Sequence, residues 1–237
     1  MIIGLSGYAR SGKDTVAKII QYINRRNINI DYSLEEAVND SSFELMLDIE
    51  SLWRIKKFSG ALKKVASILT GISVDKFEDQ EFKDSHLGPE WYLEVETPTD
   101  LVSNDVKFMK MMSVRELLQK LGTDAIRNGL HPNAWVNAAM ANYKPSIYGY
   151  DGNGSPVAEL PHWIFTDCRF PNEAQAIKDK GGVIIRIDRP GVGPVNDHPS
   201  ETALDNWDFD YKIANVSDLE SLKHTVQLLM NKIWQTS

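Results

Sequence analysis

The sequence predicts an α/β fold, a parallel sheet with helices packed against it, and three observations carry that expectation. Short apolar runs at 1–5, 163–166 and 183–187 are bounded by glycine or polar residues and read as buried strands. Segments with apolar residues at helical spacing alternate with them, which is the pattern of parallel βαβ units. The first strand also runs straight into a glycine-bounded loop and then a helix, through Gly7-Tyr-Ala-Arg-Ser-Gly-Lys-Asp-Thr15.

That loop fixes a ligand class. Gly7, Gly12 and Lys13 stand at the G-x-x-x-x-G-K spacing of a phosphate-binding loop. Glycines let consecutive backbone N–H groups point inward at phosphate oxygens, and the following helix offers them its positive end. Lys13 adds a mobile point charge for the β- and γ-phosphates. The same pattern occurs by chance in glycine turns, but here a strand precedes it and a helix follows, with Val16, Ile19, Ile20 and Ile23 on one face. The fold expected is therefore the three-layer sandwich of the P-loop NTPases, with phosphates bound at strand carboxyl ends. The residue after Lys13 is Asp14, where Ser or Thr is usual, and the hydroxyl follows at Thr15. Asp14 either joins the shell of a hard cation or is a first-turn carboxylate favoured by the helix dipole.

The remaining elements follow in order. A polar stretch at 27–40 precedes an amphipathic helix at 43–52, a short strand at 53–59 and a helix at 61–69 that carries Lys63 and Lys64. Residues 75–105 are acidic, contain Pro89 and Pro98, and read as irregular. Ser113-Val-Arg-Glu116 has the form of a capping box. The helix it opens carries Val114, Leu117, Leu118, Leu121, Ala125 and Ile126 as one stripe. Arg115, Gln119, Thr123 and Arg127 recur every four residues on the opposite side, a spacing that suits either a solvated face or a pocket wall. Gly122 within that helix permits close approach.

Residues 149–156 have turn chemistry and are expected in a surface loop. The strand at 163–166 ends at Asp167, and Pro171 starts a helix that stops at Gly181-Gly182. After the strand at 183–187 comes a Gly/Pro-rich loop at 189–200. Ser217-Asp-Leu-Glu220 reads as a second capping box, before a closing helix with Leu219, Leu222, Val226, Leu229 and Ile233 inward.

Composition narrows the classes. With 237 residues, 25% charged and 42% apolar, the chain is an ordinary globular protein of one large or two small domains. A net charge of −7 argues against a nucleic-acid polymer as partner, since that needs a basic stripe. No apolar run approaches a membrane span, and the first residues are a core strand, so a cytoplasmic protein is expected. The single cysteine, Cys168, excludes an internal disulfide framework and reads as a small buried hydrophobe. Arginines 10, 115, 127, 169, 186 and 189 fall in or beside the motif-like stretches, which suits a small anionic ligand.

Asp167 stands where a second acidic motif of a phosphate-loop enzyme belongs, able to hold Mg²⁺ or its waters. Arg169, two residues on, points the same general way along an extended chain and has the planar fork that binds phosphate. A structural Asp–Arg pair at a strand end is the alternative. Together with Gly7–Thr15, two further blocks carry a resemblance: 115–124 with Arg127 and Trp135, and Thr166-Asp-Cys-Arg-Phe-Pro-Asn-Glu-Ala174. The chain resembles the bacteriophage-type deoxynucleoside monophosphate kinases. The tail adds Asp197-His-Pro-Ser-Glu201 and the 213–217 turn, while 27–55 and 75–110 contribute little.

The resemblance implies one kinase domain over 1–237, with a monophosphate-binding insertion near 30–145 and a lid near 188–201. It implies transfer of the ATP γ-phosphate to a deoxynucleoside 5′-monophosphate, with Mg²⁺ as cofactor and ATP and the monophosphate as partners. Lys13, Asp167, Arg169 and Glu173 would be catalytic. Gly7, Arg10, Ser11, Gly12, Lys13, Asp14, Thr15, Arg186 and Arg189 would bind ATP, with Asp14, Thr15 and Asp167 at the metal. Arg115, Gln119, Gly122, Thr123, Arg127 and Trp135 would bind the monophosphate. For a phage protein the place of action is the host cytoplasm, and the sequence leaves the oligomeric state open, a homodimer among the options. Two alternatives stand beside this: a P-loop kinase for dephospho-coenzyme A or phosphomevalonate, and a nucleotide-binding regulatory module.

Overall fold

A computed structural model of the protein describes residues 1–26, 32–95, 108–150, 152–195 and 197–236. In chain order its elements begin β1 (Ile2–Ser6), α1 (Lys13–Ile23), α2 (Leu34–Asn39), α3 (Glu44–Glu50), β2 (Trp53–Lys56), α4 (Gly60–Thr70) and α5 (Gln80–Asp84). β3 (Leu93–Val95), β4 (Phe108–Lys110), α6 (Val114–Gln119), a π-helical stretch (Lys120–Asn128) and α7 (Ala134–Met140) follow. Then come β5 (Ser146–Tyr150), β6 (Pro156–Glu159), β7 (His162–Phe165), α8 (Pro171–Lys178), β8 (Val183–Asp188), α9 (Pro199–Thr202), β9 (Tyr211–Ala214) and α10 (Leu219–Thr236).

Side-chain alternation decides the layers. Ile3, Leu5, Ile164, Ile185, Ile187 and Ile213 project to one face, where they pack with Val16, Ile19 and Ile20 of α1 and with Leu222, Val226, Met230 and Ile233 of α10. Ile2, Trp163, Phe165 and Ile184 project to the other, against Ala174 and Ile177 of α8 and Val136 of α7. Both faces are covered, as a parallel sheet requires. Among the described residues the sheet has five strands in the order β2-β7-β1-β8-β9, and every neighbouring pair is parallel. The register sets Ile3 beside Ile164 and Leu5 beside Ile185, so β1 lies at the centre with its carboxyl end opening into the glycine loop.

Contacts divide the chain into two compact units, Met1–Phe58 with Val136–Ser237, and Ser59–Trp135. The first holds the five-stranded sheet, and α2 and α3 belong to it. The second has its own core of Ala66, Phe77, Leu87, Met112, Val114 and Leu117. Among the described residues no helix is long and apolar enough to cross a membrane.

Several local expectations shift. α1 begins at Lys13, three residues before Val16, the first residue of its apolar face, because Gly12 at φ +99° turns the chain directly into the helix. The polar stretch 27–40 contains α2, capped reciprocally by Ser33 and Glu36, while 27–31 lies outside the described residues. The stretch 75–105 is more regular than expected. A 3₁₀ turn at Val74–Glu78 and α5, capped by Asp79, bury Phe77 in the second core; 96–105 lies outside the described residues. Ser113 does cap α6, accepting the Glu116 N–H at 3.1 Å, and the Glu116 carboxylate reaches Lys110 at 2.9 Å.

The expected 149–156 loop is shorter than its turn chemistry suggests: Gly149 and Tyr150 end β5 and Pro156 opens β6 of an antiparallel hairpin, with Asp151 outside the described residues. Asp218, one residue beyond the expected Ser217, caps α10 by accepting the Ser221 N–H at 2.8 Å. Strand β9 was not anticipated. Its short Tyr-Lys-Ile-Ala run has one fully buried residue, Ile213, and becomes a strand only by pairing with β8.

Candidate active site

The glycine loop is held open by its backbone. Gly7 has φ +147°, and a Cβ there would stand 2.4 Å from the Ile187 carbonyl oxygen and 2.7 Å from Ser11 Oγ. At Gly12, φ +99°, a Cβ would meet Asn215 Nδ2 at 2.4 Å. Arg10, exposed at the loop tip, adopts φ +65°, a conformation most side chains avoid. Among the described residues no side chain caps α1, so its first-turn N–H groups are left for a ligand at the loop. The Ser11 hydroxyl is buried without a hydrogen-bond partner. Positive-φ glycines, an uncapped helix start and an orphaned hydroxyl together fit a bound polyphosphate.

Lys13 is 8% exposed, and its ammonium donates to the carbonyls of Gly7 at 2.9 Å and Tyr8 at 2.7 Å, folded back into the loop. Burial, and then the nearby Arg169 guanidinium, lower its pKa from 10.5 to about 8, against the opposing pull of Asp14, Glu201 and Asp167. Five charged groups from three parts of the sequence therefore share one electrostatic neighbourhood. Asp14 is exposed on the first turn of α1 and Thr15 half-buried beside it.

Asp167 follows the end of β7, the strand beside β1, and its Oδ1 accepts the Phe58 N–H at 2.8 Å. Arg169 is pinned at both ends. Its backbone N–H donates to Glu173 Oε2 at 2.8 Å, and its Nη1 meets Glu201 Oε1 at 2.6 Å. Glu173, 3% exposed, also accepts the Phe170 N–H at 3.1 Å, so it organises the backbone that presents Arg169. Cys168 between them is buried, which pushes its thiol pKa well up. The donors near Lys13 are carboxylates and hydroxyls, and among the described residues no group of three or more His, Cys, Asp or Glu is placed to hold a metal ion by itself. That set suits a hard cation sharing its shell with phosphates and water, as Mg²⁺ does.

Arg186 lies on β8, before the Gly/Pro loop. Its guanidinium reaches Asp188 at 3.0 Å and Asp205 at 3.3 Å and lies 4.7 Å over the Tyr8 ring, whose hydroxyl donates to Asp205 at 2.9 Å. Arg186 thus braces Tyr8 of the phosphate loop. Burial and the Asp205 hydrogen bond raise the Tyr8 pKa. Arg189 is exposed at the start of the loop.

In the second unit, Arg115 sends Nε and Nη2 to Asp84 Oδ1, each at 2.8 Å. From Lys120 the helix widens into the π form, with bonds such as Gly129 N–H to Asp124 O at 3.1 Å. In an α-helix a four-residue step overshoots a full turn, and in the wider π turn it falls short. The drift of the Arg115–Gln119–Thr123–Arg127 ladder therefore reverses beyond Gln119, keeping the four nearer one side. Of the expected apolar stripe, Ala125 is exposed and Ile126 half-buried. Gly122 is buried, with Leu62 at 3.0 Å from where its Cβ would be, and its carbonyl accepts the Trp135 indole N–H at 2.8 Å.

Three residues have parts that the sequence does not assign. Tyr8 and Asp205 couple through Arg186. Asn215, just after β9, donates its Nδ2 to the Ser11 carbonyl at 2.9 Å and its backbone N–H to the Asp188 carbonyl at 2.7 Å, supporting the loop from behind. Asn215 falls within the 213–217 turn that carries part of the resemblance, but nothing in the sequence ties it to the phosphate loop.

A five-stranded parallel sheet with a phosphate loop after its central strand, and an aspartate ending the strand beside it, defines a P-loop NTPase-type protein. The sequence model of the family described as deoxynucleotide monophosphate kinase matches residues 40–226, and the chain belongs to that family. It is 28% identical over 264 aligned residues to the deoxynucleotide monophosphate kinase of Enterobacteria phage T4, covering 96% of this chain and 99% of that protein. With the enzyme of the same name from Escherichia phage RB69 it shares 25% over 253 residues, 97% of this chain and 99% of the other. A putative deoxynucleotide monophosphate kinase of Acanthamoeba polyphaga mimivirus is 33% identical over 116 residues, 45% of this chain and 55% of that protein. The family match starts beyond the phosphate loop.

Proposed function

We propose that the protein transfers the γ-phosphoryl group of ATP to a deoxynucleoside 5′-monophosphate, releasing ADP and the diphosphate. The observation that carries this reading is the gathering of Lys13, Asp14, Asp167 and Arg169 around the phosphate loop of a deoxynucleotide monophosphate kinase family member. An acceptor phosphate oxygen attacks the γ-phosphorus, a new P–O bond forms, and the bond to the β-phosphate oxygen breaks. The acceptor's second pKa is about 6, so it arrives mostly ionised and needs no general base. The work left is to align two anions and to offset charge in the transition state.

Gly7, Arg10, Ser11, Gly12, Lys13 and Thr15 bind the ATP phosphates, Lys13 and Arg169 spread the transferring charge, and Glu173 orders the Arg169 backbone. Arg186 and Arg189 act on the ATP side, Arg186 by bracing Tyr8 and Arg189 from the loop at 188–201. Asp14, Thr15 and Asp167 would hold Mg²⁺, which when bound would offset phosphate charge. The Ser59–Trp135 unit carries the acceptor residues: Arg115 and Arg127 for phosphate, Gln119 and Thr123 for sugar or base. Gly122 and Trp135 shape the helix that presents them. The phage relatives support action in a host cytoplasm.

The test is a coupled ADP-release assay with ATP, Mg²⁺ and each of the four deoxynucleoside monophosphates, with dephospho-coenzyme A and phosphomevalonate as rivals. Turnover that requires a deoxynucleoside monophosphate is the expected result. Acceleration by a rival acceptor alone moves the activity to that substrate. ADP release that no acceptor accelerates reduces the protein to a nucleotide-binding module.

A further inference from the structure

The segment Asp197-His-Pro-Ser-Glu201 has no part in the mechanism so far, yet it ends on the catalytic arginine. Pro199 sits at the first position of α9, where its fixed φ suits a helix start. His198 caps that turn: its Nδ1 accepts the Ser200 N–H at 3.1 Å and lies 2.8 Å from Ser200 Oγ, while its carbonyl accepts the Glu201 N–H at 2.9 Å. The cap sets the direction of the third helical residue, Glu201. Its side chain is 8% exposed and its Oε1 meets Arg169 Nη1 at 2.6 Å.

We infer that Glu201 is a positioning residue for phosphoryl transfer, holding the Arg169 guanidinium in place from a turn whose geometry His198 and Pro199 set. This rests on the proposed role of Arg169. A short charge-assisted bond from a nearly buried carboxylate removes rotamers that Arg169 would otherwise lose on meeting phosphate. The pairing uses Nη1, and the guanidinium keeps further N–H donors for a phosphate. Glu201 also offsets the repulsion between Arg169 and Lys13 when no phosphate lies at the loop, since Lys13 senses both groups with opposite sign. Glu173 fixes the backbone of Arg169 and Glu201 fixes its tip, so the arginine is held ready at both ends.

The test is a double-mutant cycle read in kcat, with ATP affinity measured separately. Glu201→Ala is expected to lower kcat about 10- to 100-fold, the range for loss of a group that orients a reacting one, with ATP Kd changed less than about twofold. In an Arg169→Ala background the same substitution changes kcat by less than about twofold, because its effect passes through Arg169. His198→Ala gives a smaller loss in the same direction, silent again in that background. Equal losses with and without Arg169 would overturn the inference in favour of a purely structural turn. Nitrogen-15 NMR of the Arg169 side chain supplies a readout independent of turnover: a restricted guanidinium in the wild type that becomes mobile in Glu201→Gln. An unchanged guanidinium signal in that variant also overturns the inference. A wild type without monophosphate-dependent turnover refutes the proposed reaction instead, and the NMR comparison still decides whether Glu201 orders Arg169.

Discussion

With Lys13 at the proposed phosphate site, nucleotide binding is expected to be proton-linked above neutral pH. Burial and the Arg169 guanidinium lower its pKa from 10.5 to about 8. That difference corresponds to about 3 kcal/mol of disfavour for the charged form in the free folded protein. Because the folded-state value is depressed, the unfolded chain binds more protons between about 8 and 10.5. The full cost is present below about 8, and stability of the free protein rises with pH through that window. A triphosphate at the loop supplies the missing counter-charge and drives the Lys13 pKa back up, so binding takes up a proton. At pH 9 about one-tenth of free Lys13 is protonated, and uptake approaches about 0.9 proton per ATP bound; at pH 7 it is about 0.1. Affinity therefore falls by up to about tenfold per pH unit above 8. Isothermal titration calorimetry of ATP binding in buffers of different ionisation enthalpy reads the uptake directly. Lys13→Met, which keeps the length of the side chain without its charge, is expected to abolish it. No uptake at pH 9, or the same uptake in Lys13→Met, would refute the reasoning.

Three substitutions probe the loop and the second unit. Gly7→Ala places a Cβ 2.4 Å from the Ile187 carbonyl oxygen at a positive φ; a loss of about 2 kcal/mol or more in urea unfolding and of measurable ATP binding is expected. Asn215→Ala removes the Nδ2 bond to the Ser11 carbonyl, and a rise of about tenfold in KM for ATP with a stability loss near 1 kcal/mol should follow, read by steady-state kinetics and thermal melts. Trp135→Phe keeps an aromatic ring but leaves the buried Gly122 carbonyl without its indole donor; about 1–3 kcal/mol in stability and a higher KM for the monophosphate are expected, with KM for ATP unchanged.

How much of this was legible in the sequence depends on the range of the interaction. The β1–loop–α1 unit is local: glycine spacing, one apolar run and one amphipathic helix specify it within the first 23 residues. Asp167 and Arg169 were legible because a strand end leads into them. Asn215 stood in the 213–217 turn, but its support of the loop was not legible, because its bond to Ser11 spans 204 positions. Strand β9 was missed for a related reason, since pairing with β8 makes Tyr211–Ala214 a strand where periodicity gives little signal. The π-helical turn escaped because an apolar stripe is read at α-helical period, and the residues of Lys120–Asn128 reveal their wider winding only through hydrogen bonds closed one residue further along. Arg186 shows the limit from the other side: its type and place were noticed, while its task of bracing Tyr8 depends on Asp205, 19 residues away.

The most direct test of the central claim follows the phosphoryl group itself. With ATP labelled at the γ-position with phosphorus-32, label is expected to appear in the deoxynucleoside diphosphate in one-to-one proportion to ADP formed, and to fall at least about a thousandfold in Arg169→Ala. Label released as inorganic phosphate, or transfer that survives in Arg169→Ala, would contradict the account.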